Sequence, residues 1–344
     1  MTFIQRLNHL KHKMSYYCEG IPTKLISEML SSCNSIPDKI SDLLTEPSSS
    51  NDTNDVRFRD SNADQILVDS ERQHTNKYAC DPPVLDSNYW QEPSASGWNV
   101  RSSTYLESKL KYPATNNLFQ LFAVDLIQLD DSKPILSGLS TLPKERVSQY
   151  LQAIGRNHSN NDKNNDHPFV FVVNITIPGK VAYHLVMYYA IHDKRLIQTA
   201  NEKYTCSSNL PPLSQEQQAF QKIASTFFFG SSDKYRDERF KLIPKIISGN
   251  ILVKKAVGSK PTLLGKKVKQ YYIRSNDYFE LVVDVGSDAI ANKVVGLCTG
   301  YAKNLVVDMG FVLEAKSEDE LPEVVIGSVR LKNIDFKAAR KVNL

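Results

Sequence analysis

FKLIPKIISGNILVKKAVGSKPTLLGKKVKQYYIRSNDYFELVVDV occupies residues 240–285, and two patterns run through it at once. Apolar residues come in short bursts separated by glycine: Ile246, Ile247, Ile251, Leu252, Val253, Tyr271, Tyr272 and Ile273. Lysines are set among them at 241, 245, 254, 255, 260, 266, 267 and 269. A solvated tail has no use for the first set, and a buried core has none for the second. The stretch is therefore predicted to be folded sheet, one side building a core and the other electropositive. In an alternating strand Lys267 and Lys269 fall on one face, Lys266 and Val268 on the other. From Arg236 to Arg274 eleven Lys or Arg stand against two acids, Asp237 and Glu238, although the whole chain carries a net charge of only +4. The basic character is local.

Outward from this stretch, segments 117–129, 168–177, 181–191, 263–274, 278–285 and 305–315 are short and rich in Val, Ile, Phe and Tyr, which predicts strands. Pro178-Gly179-Lys180 is a tight-turn signal and joins two of them as a hairpin; Ser275 to Tyr278 joins another pair. Helices are predicted over about 143–155, 214–228 and 288–302. The last is unusually apolar, with Ala289, Ile290, Val294, Val295, Leu297, Cys298 and Tyr301. It is too short to span a bilayer and is expected to lie buried flat against the sheet, Gly296 and Gly300 permitting close backbone approach. The fold class is α+β: a curved, mainly antiparallel β-sheet with packed helices, in the style of a helix-grip (START-like) fold.

The 344 residues leave room for one large domain or two small ones. Five scattered cysteines form no CxxC pair, which argues against disulfides and zinc and for a reducing compartment. No apolar run approaches the span of a bilayer, and the first residues lack a secretory h-region. A cytoplasmic protein, at most peripheral to a membrane, is expected. Residues 1–45 are expected to form short helices; Phe3, Leu7, Leu10, Met14 and Tyr17 line a stripe that docks on the fold or a partner, or lies on an anionic membrane. Residues 46–87 are polar and read as a flexible linker, and 88–344 as the main domain. An Asn-rich tract near 157–167 reads as an inserted loop.

GWNVRSSTYLESKLKYPATNNLFQLFAVDLI, FVVNITIPG, YRDERFKLIPKIISGNILVKKAVGSKPTLLGKKV, YFELVVDVGSDAIANKVVGLCTGYAKNLVVDMGFVLEA and EDELPEVVIGSVRLKNID follow one another along the chain. Together they resemble the C-terminal domain of the plant Enhanced Disease Resistance Two family, long a domain of unknown function. The resemblance covers roughly residues 88–336. Plant members can carry pleckstrin-homology and START-type lipid-transfer domains ahead of this one, which implies work at membranes and with lipids. The first hundred residues here are too short and polar for either, so phosphoinositide binding is not carried over. The family supplies no catalytic residues to carry over either.

Three sets of residues carry possible chemistry. Arg236, Arg239, Lys241, Lys245, Lys254, Lys255, Lys266, Lys267, Lys269 and Arg274 would present a basic face to anionic lipid, each lysine near a charged bilayer contributing about 1 kcal/mol. The same face could be a solvated edge on which Lys blunts strand pairing, while no nucleic-acid fold signature supports nucleic acid as a partner. Phe119, Phe122, Phe169, Phe171, Val173, Tyr188, Phe279 and Phe311 would line the inner side of the sheet as core, or around an acyl-sized pocket. The strand carboxylates Asp125, Glu280, Asp284 and Asp308, with His184 and His192, are expected to be structural; no nucleophile motif, phosphate-cradling Gly loop or metal cluster accompanies them. The expected function is non-enzymatic, without cofactor: a lipid- or membrane-associated module. The alternative is a protein-interaction scaffold in signalling or trafficking whose basic face takes an acidic partner, with an unrecognised enzyme third.

Overall fold

The computed structural model describes residues 85–140, 142, 145–157, 168–198 and 211–342. The expected N-terminal helices, the linker and the Asn-rich loop lie outside the described residues. Thirteen strands are described: β1 (Trp90–Gln91), β2 (Asn99–Arg101), β3 (Lys111–Pro113), β4 (Gln120–Leu129), β5 (Phe169–Ile177), β6 (Tyr183–Ile191), β7 (Phe240–Ser248), β8 (Thr262–Leu263), β9 (Lys269–Arg274), β10 (Tyr278–Asp284), β11 (Val306–Leu313), β12 (Val325–Lys332) and β13 (Arg340–Val342). With them are α1 (Tyr105–Ser108), α2 (Arg146–Asn157), α3 (Gln215–Phe229), α4 (Asp233–Asp237), α5 (Ile251–Val257) and α6 (Ala289–Gly300). The class is α+β. One sheet has the order β13-β4-β6-β5-β10-β9, another β1-β12-β11-β7-β8, and β2 pairs only with β3. Neighbours are antiparallel except β5 with β10 and β4 with β13. The two predicted hairpins are β5–β6 and β9–β10.

The opening stretch is split between both large sheets rather than forming one surface. β7 and β8 belong to one, β9 and β10 to the other, and residues 251–257, expected as sheet, are the helix α5. The cause is local: the Asn250 side chain accepts from Leu252 N at 2.8 Å and caps the first turn. Gly258, at φ +66°, takes a positive-φ conformation open to glycine and ends the helix, and Lys254 and Lys255 in the last turn complement its dipole. Residues 264–266 form a single 3-10 turn, so the strand parity assigned to Lys266 and Lys267 does not hold: both are exposed while Val268 is buried.

The main core lies where the two large sheets face each other. Phe171 of β5 stands 6.2 Å from Phe240 of β7, and Tyr189 of β6 the same distance from Phe311 of β11, measured between ring centroids. The helix that crosses this core is α3, not α6. Phe220, Ile223, Phe227 and Phe228 of α3 are buried in it, and a reciprocal Ser214–Gln217 capping box fixes where the helix starts. A second apolar cluster, including Val147 and Tyr150 of α2, covers the opposite face of the six-stranded sheet. A third, around Trp98, covers the far side of β7, β11 and β12. β12 is weakly signalled in the sequence because Gly327 interrupts its apolar run; a Cβ there would stand 2.7 Å from the Tyr189 ring.

Behind the six-stranded sheet runs a buried polar chain. Ile135 N donates to His184 Nε2 at 3.1 Å, so the ring proton sits on Nδ1 and is donated to Asn174 Oδ1 at 2.8 Å. Asn174 in turn donates to Glu280, which also accepts from Leu139 N and Ser140 N at 2.9 and 2.8 Å. Beside this pair Arg146 holds Asp125 through two nitrogens at 3.0 and 2.9 Å. These groups pin the loop before α2 to the sheet and leave His184 no place for a second proton. Burial accordingly lowers its pKa to about 4.

Two outcomes are expected. Gly327→Ala presses a methyl on the Tyr189 ring and should lower unfolding free energy by about 1–3 kcal/mol, whereas Gly296→Ala, where a Cβ meets nothing within 4 Å, should be neutral or slightly stabilising; denaturant titration of both variants checks this. Because the His184 pKa is lowered in the fold, the unfolded chain binds the extra proton first. Stability should fall as pH drops from about 6.5 towards 4, with about 2 kcal/mol lost by pH 5 from this group. The slope should flatten in His184→Gln, measured by thermal unfolding across that range.

Candidate functional site

The ten cations assigned to one lipid-binding face divide into two groups. Arg236, Arg239 and Lys241 are buried. Arg236 donates to Phe227 O at 2.6 Å, to Gly230 O and to Asp233, and its guanidinium lies over the Tyr272 and Phe279 rings. Arg239 donates to Glu314 O at 2.9 Å and pairs with Glu320. Lys241 pairs with the buried Glu323 at 2.7 Å, and Arg101 reaches the same carboxylate at 3.5 Å. None of the three reaches a bilayer. Strand alternation explains Lys241: with Phe240 directed into the main core, its neighbour must point to the other face, where only a buried acid makes a lysine tolerable.

Lys245, Lys254, Lys255, Lys266, Lys267, Lys269 and Arg274 are exposed. Among the described residues none of these six lysines is held in an ion pair, while Arg274 donates to Gly230 O at 2.8 Å. Lys266, Lys267 and Lys269 line one shallow depression of about 370 Å³ together with Asp237, Gln270, Tyr271 and Ser287. Gly265 makes it possible, because a Cβ there would lie 2.3 Å from the Asp237 backbone and force the lysine turn off the body. Asp237 accepts from Tyr272 Oη at 2.7 Å, and burial nevertheless raises its pKa. Glu238 nearby is held low first by Lys316 and also by Lys266.

The depression continues into the helices. Lys269 N donates to Ser287 Oγ at 2.7 Å, and Ser287 closes the turn that leads into α6. Asp288 caps α6 by accepting from Ile290 N and Ala291 N. α6 packs beside α5. Contrary to expectation, α6 is not buried: it has no buried residue, only Ala291 and Val295 rest on the main core, and Gly296 and Gly300 have nothing within 4 Å of where a Cβ would be. The glycine spacing serves no close helix contact. Cys298 is half-buried, and burial pushes its thiol pKa up to about 11.

The eight residues expected around an apolar pocket fall on two sides of a sheet. Phe119, Phe169, Phe171, Val173, Phe279 and Phe311 belong to the main core, while Tyr188 and the half-buried Phe122 belong to the cluster under α2. Within the main core the rings touch one another: Phe228 stands 5.2 to 6.0 Å from Phe119, Phe169, Phe171 and Phe279. The carboxylates are engaged separately. Asp125 holds Arg146 in one sheet, Asp308 holds Arg330 at 2.6 and 2.8 Å in the other, and Glu280 accepts backbone N–H groups. Asp284 ends β10. His192 meets Gln120 at 3.1 Å.

Comparison with known proteins supplies the family. The family model for the C-terminal region of Protein Enhanced Disease Resistance 2 matches residues 90–335. A curated relative from Arabidopsis thaliana, Protein Enhanced Disease Resistance 2-like, is 32% identical over 257 residues, which is 75% of this chain. The aligned part is 30% of that relative's length. No solved structure matches the chain. With the family model running from β1 to the residues just after β12, the chain belongs to the Enhanced Disease Resistance 2 C-terminal family.

Proposed function

We propose that this chain is a non-catalytic module that binds the anionic surface of a membrane from outside. The observation that carries this is one continuous surface, from the depression through α6 to α5, whose lysines lack acidic partners. The sequence has no Asp or Glu from Phe240 to Asn276, and none from Ala289 to Leu305. The acids that meet this surface are Asp237, which lines the depression, Asp284 and Asp288 at the turn into α6, and Asp335, paired to Lys303 at 2.8 Å. Lys266, Lys267 and Lys269 around a concave surface suit the phosphate of a lipid headgroup. The ring-on-ring packing between the sheets favours this outer surface over an internal acyl site. The separate engagement of Asp125, Asp308 and Glu280 supports a binding role over catalysis. Among the described residues no helix is long and apolar enough to cross a membrane.

Lys254, Lys255, Lys266 and Lys267 would together contribute about 4 kcal/mol at a charged bilayer, which is millimolar binding and sensitive to salt. Co-sedimentation should show the protein partitioning onto vesicles of phosphatidylcholine with phosphatidylserine, not onto phosphatidylcholine alone, and releasing in high salt. Reversing these four charges to Glu should weaken partition at least about tenfold with an unchanged unfolding transition. Lys241→Ala should do the opposite: it leaves Glu323 only Arg101 and the Arg101 and Ala315 N–H groups, and removes about 1–3 kcal/mol of stability, while the folded fraction still binds. Equal binding to neutral and anionic vesicles would refute the proposal, and an acidic protein partner would then be the surviving use of the surface.

A further inference from the structure

We infer that α5 and α6 together form an apolar wedge that enters the headgroup layer of an anionic bilayer while the lysines around it lie on the phosphates. This rests on the membrane reading above and goes beyond it, because adsorption by charge alone requires no apolar contact. Ile290 on α6 and Ile251 on α5 are the two most exposed large apolar side chains among the described residues, at 73% and 67%. They stand on neighbouring helices. Ile247, at the end of β7 just before α5, is a third exposed isoleucine.

The helix faces are arranged for this. On α6, Ala291 and Val295 make the contact with the core. Ile290, Val294 and Leu297 follow the i, i+4, i+7 spacing and so form a second apolar stripe about a third of a turn away. Of that stripe Ile290 is exposed, Val294 and Leu297 are half-buried, and none of it is polar. Lys293 flanks it and is exposed. On α5, Val253 is buried, while Ile251, Lys254 and Lys255 point to the opposite side. Apolar tips with lysines beside them are what an interfacial element needs: aliphatic groups displace headgroup water, and ammonium groups remain at phosphate depth.

The composition selects a bilayer over a protein as occupant. Protein interfaces are enriched in Tyr, Trp and Arg and depleted in Lys. This face is Ile, Val, Leu and Lys, with Tyr301 half-buried at its edge. Neither helix carries a carboxylate within its own span, and the acid nearest to them in sequence, Asp288, is engaged as the cap of α6.

The test uses the full chain and vesicles of phosphatidylcholine with phosphatidylserine. The native tryptophans are two, Trp90 and Trp98, and Trp98 is buried, so a tryptophan added on the wedge gives a distinct signal. Emission from Ile290→Trp and from Ile251→Trp should shift to the blue on binding and be quenched by lipids brominated near the headgroup. The neutral double variant Ile251→Ser/Ile290→Ser should weaken partition about tenfold or more with an unchanged unfolding transition, since both side chains are exposed in the free protein. If the double variant binds as tightly as wild type and the added tryptophans are neither shifted nor quenched, insertion is overturned and adsorption by charge survives. If wild type itself fails to bind these vesicles, both readings fall.

Discussion

Phe171 meets Phe119, Tyr189, Phe228, Phe240 and Phe279 with ring centroids 5.5 to 6.2 Å apart, and this contact joins both sheets to α3. Edge-to-face rings at such distances add to the burial of their own large areas, so the inter-sheet layer is the main source of apolar stabilisation. It also fixes the strand parities. Phe240 and Leu242 of β7 belong on its core side, which sends Lys241 and Ile243 to the far face. Gly310 and Gly327 in adjoining strands then make room for Trp98 on one side and Tyr189 on the other.

From that parity follows the division of the positive charge. Cations near the ring layer are buried and must be neutralised: Arg236 by carbonyl groups and Asp233, Arg239 by Glu320, Lys241 by Glu323. Farther along, β7 is bordered by β8 only at Lys241 and Leu242, and Pro244, with no N–H to offer, sits where that second neighbour has ended. Paired with β11 alone, the chain leaves the sheet after Ser248, forms α5, returns as β8 and passes through the lysine turn at 264–266. Among the described residues the lysines on this excursion are held in no ion pair, with Asp237 and Glu238 the acids nearest the turn. The surface proposed to touch a membrane is thus what lies beyond the reach of the packed layer.

Much of this was legible in the residues, and the exceptions share a cause. The β5–β6 and β9–β10 hairpins announce themselves through Pro-Gly and Ser-Asn-Asp turns, and the α3 and α6 starts through Ser214 and Asp288. The helix α5 also carried its signals, Asn250 before it and Gly258 after it, but they were outweighed by the apolar residues between them. The burial of Arg236 could not be read locally, because its partners include a carbonyl nine residues away and two rings of the other sheet. The exposure of α6 is not legible in the sequence for a related reason. Apolar composition shows that a surface is to be covered, not whether the protein's own sheet covers it, and α3 already occupied the core that α6 was expected to fill.

Amide hydrogen exchange of the whole protein, with and without anionic vesicles, shows which surface the bilayer covers without any substitution. If α5 and α6 meet the bilayer, exchange slows in α5, in the 264–266 turn and in α6, with β2, β3 and the segment around α2 unchanged. Vesicle binding that protects β2 and β3, or any other surface, while α5 and α6 exchange as in free protein would contradict that contact.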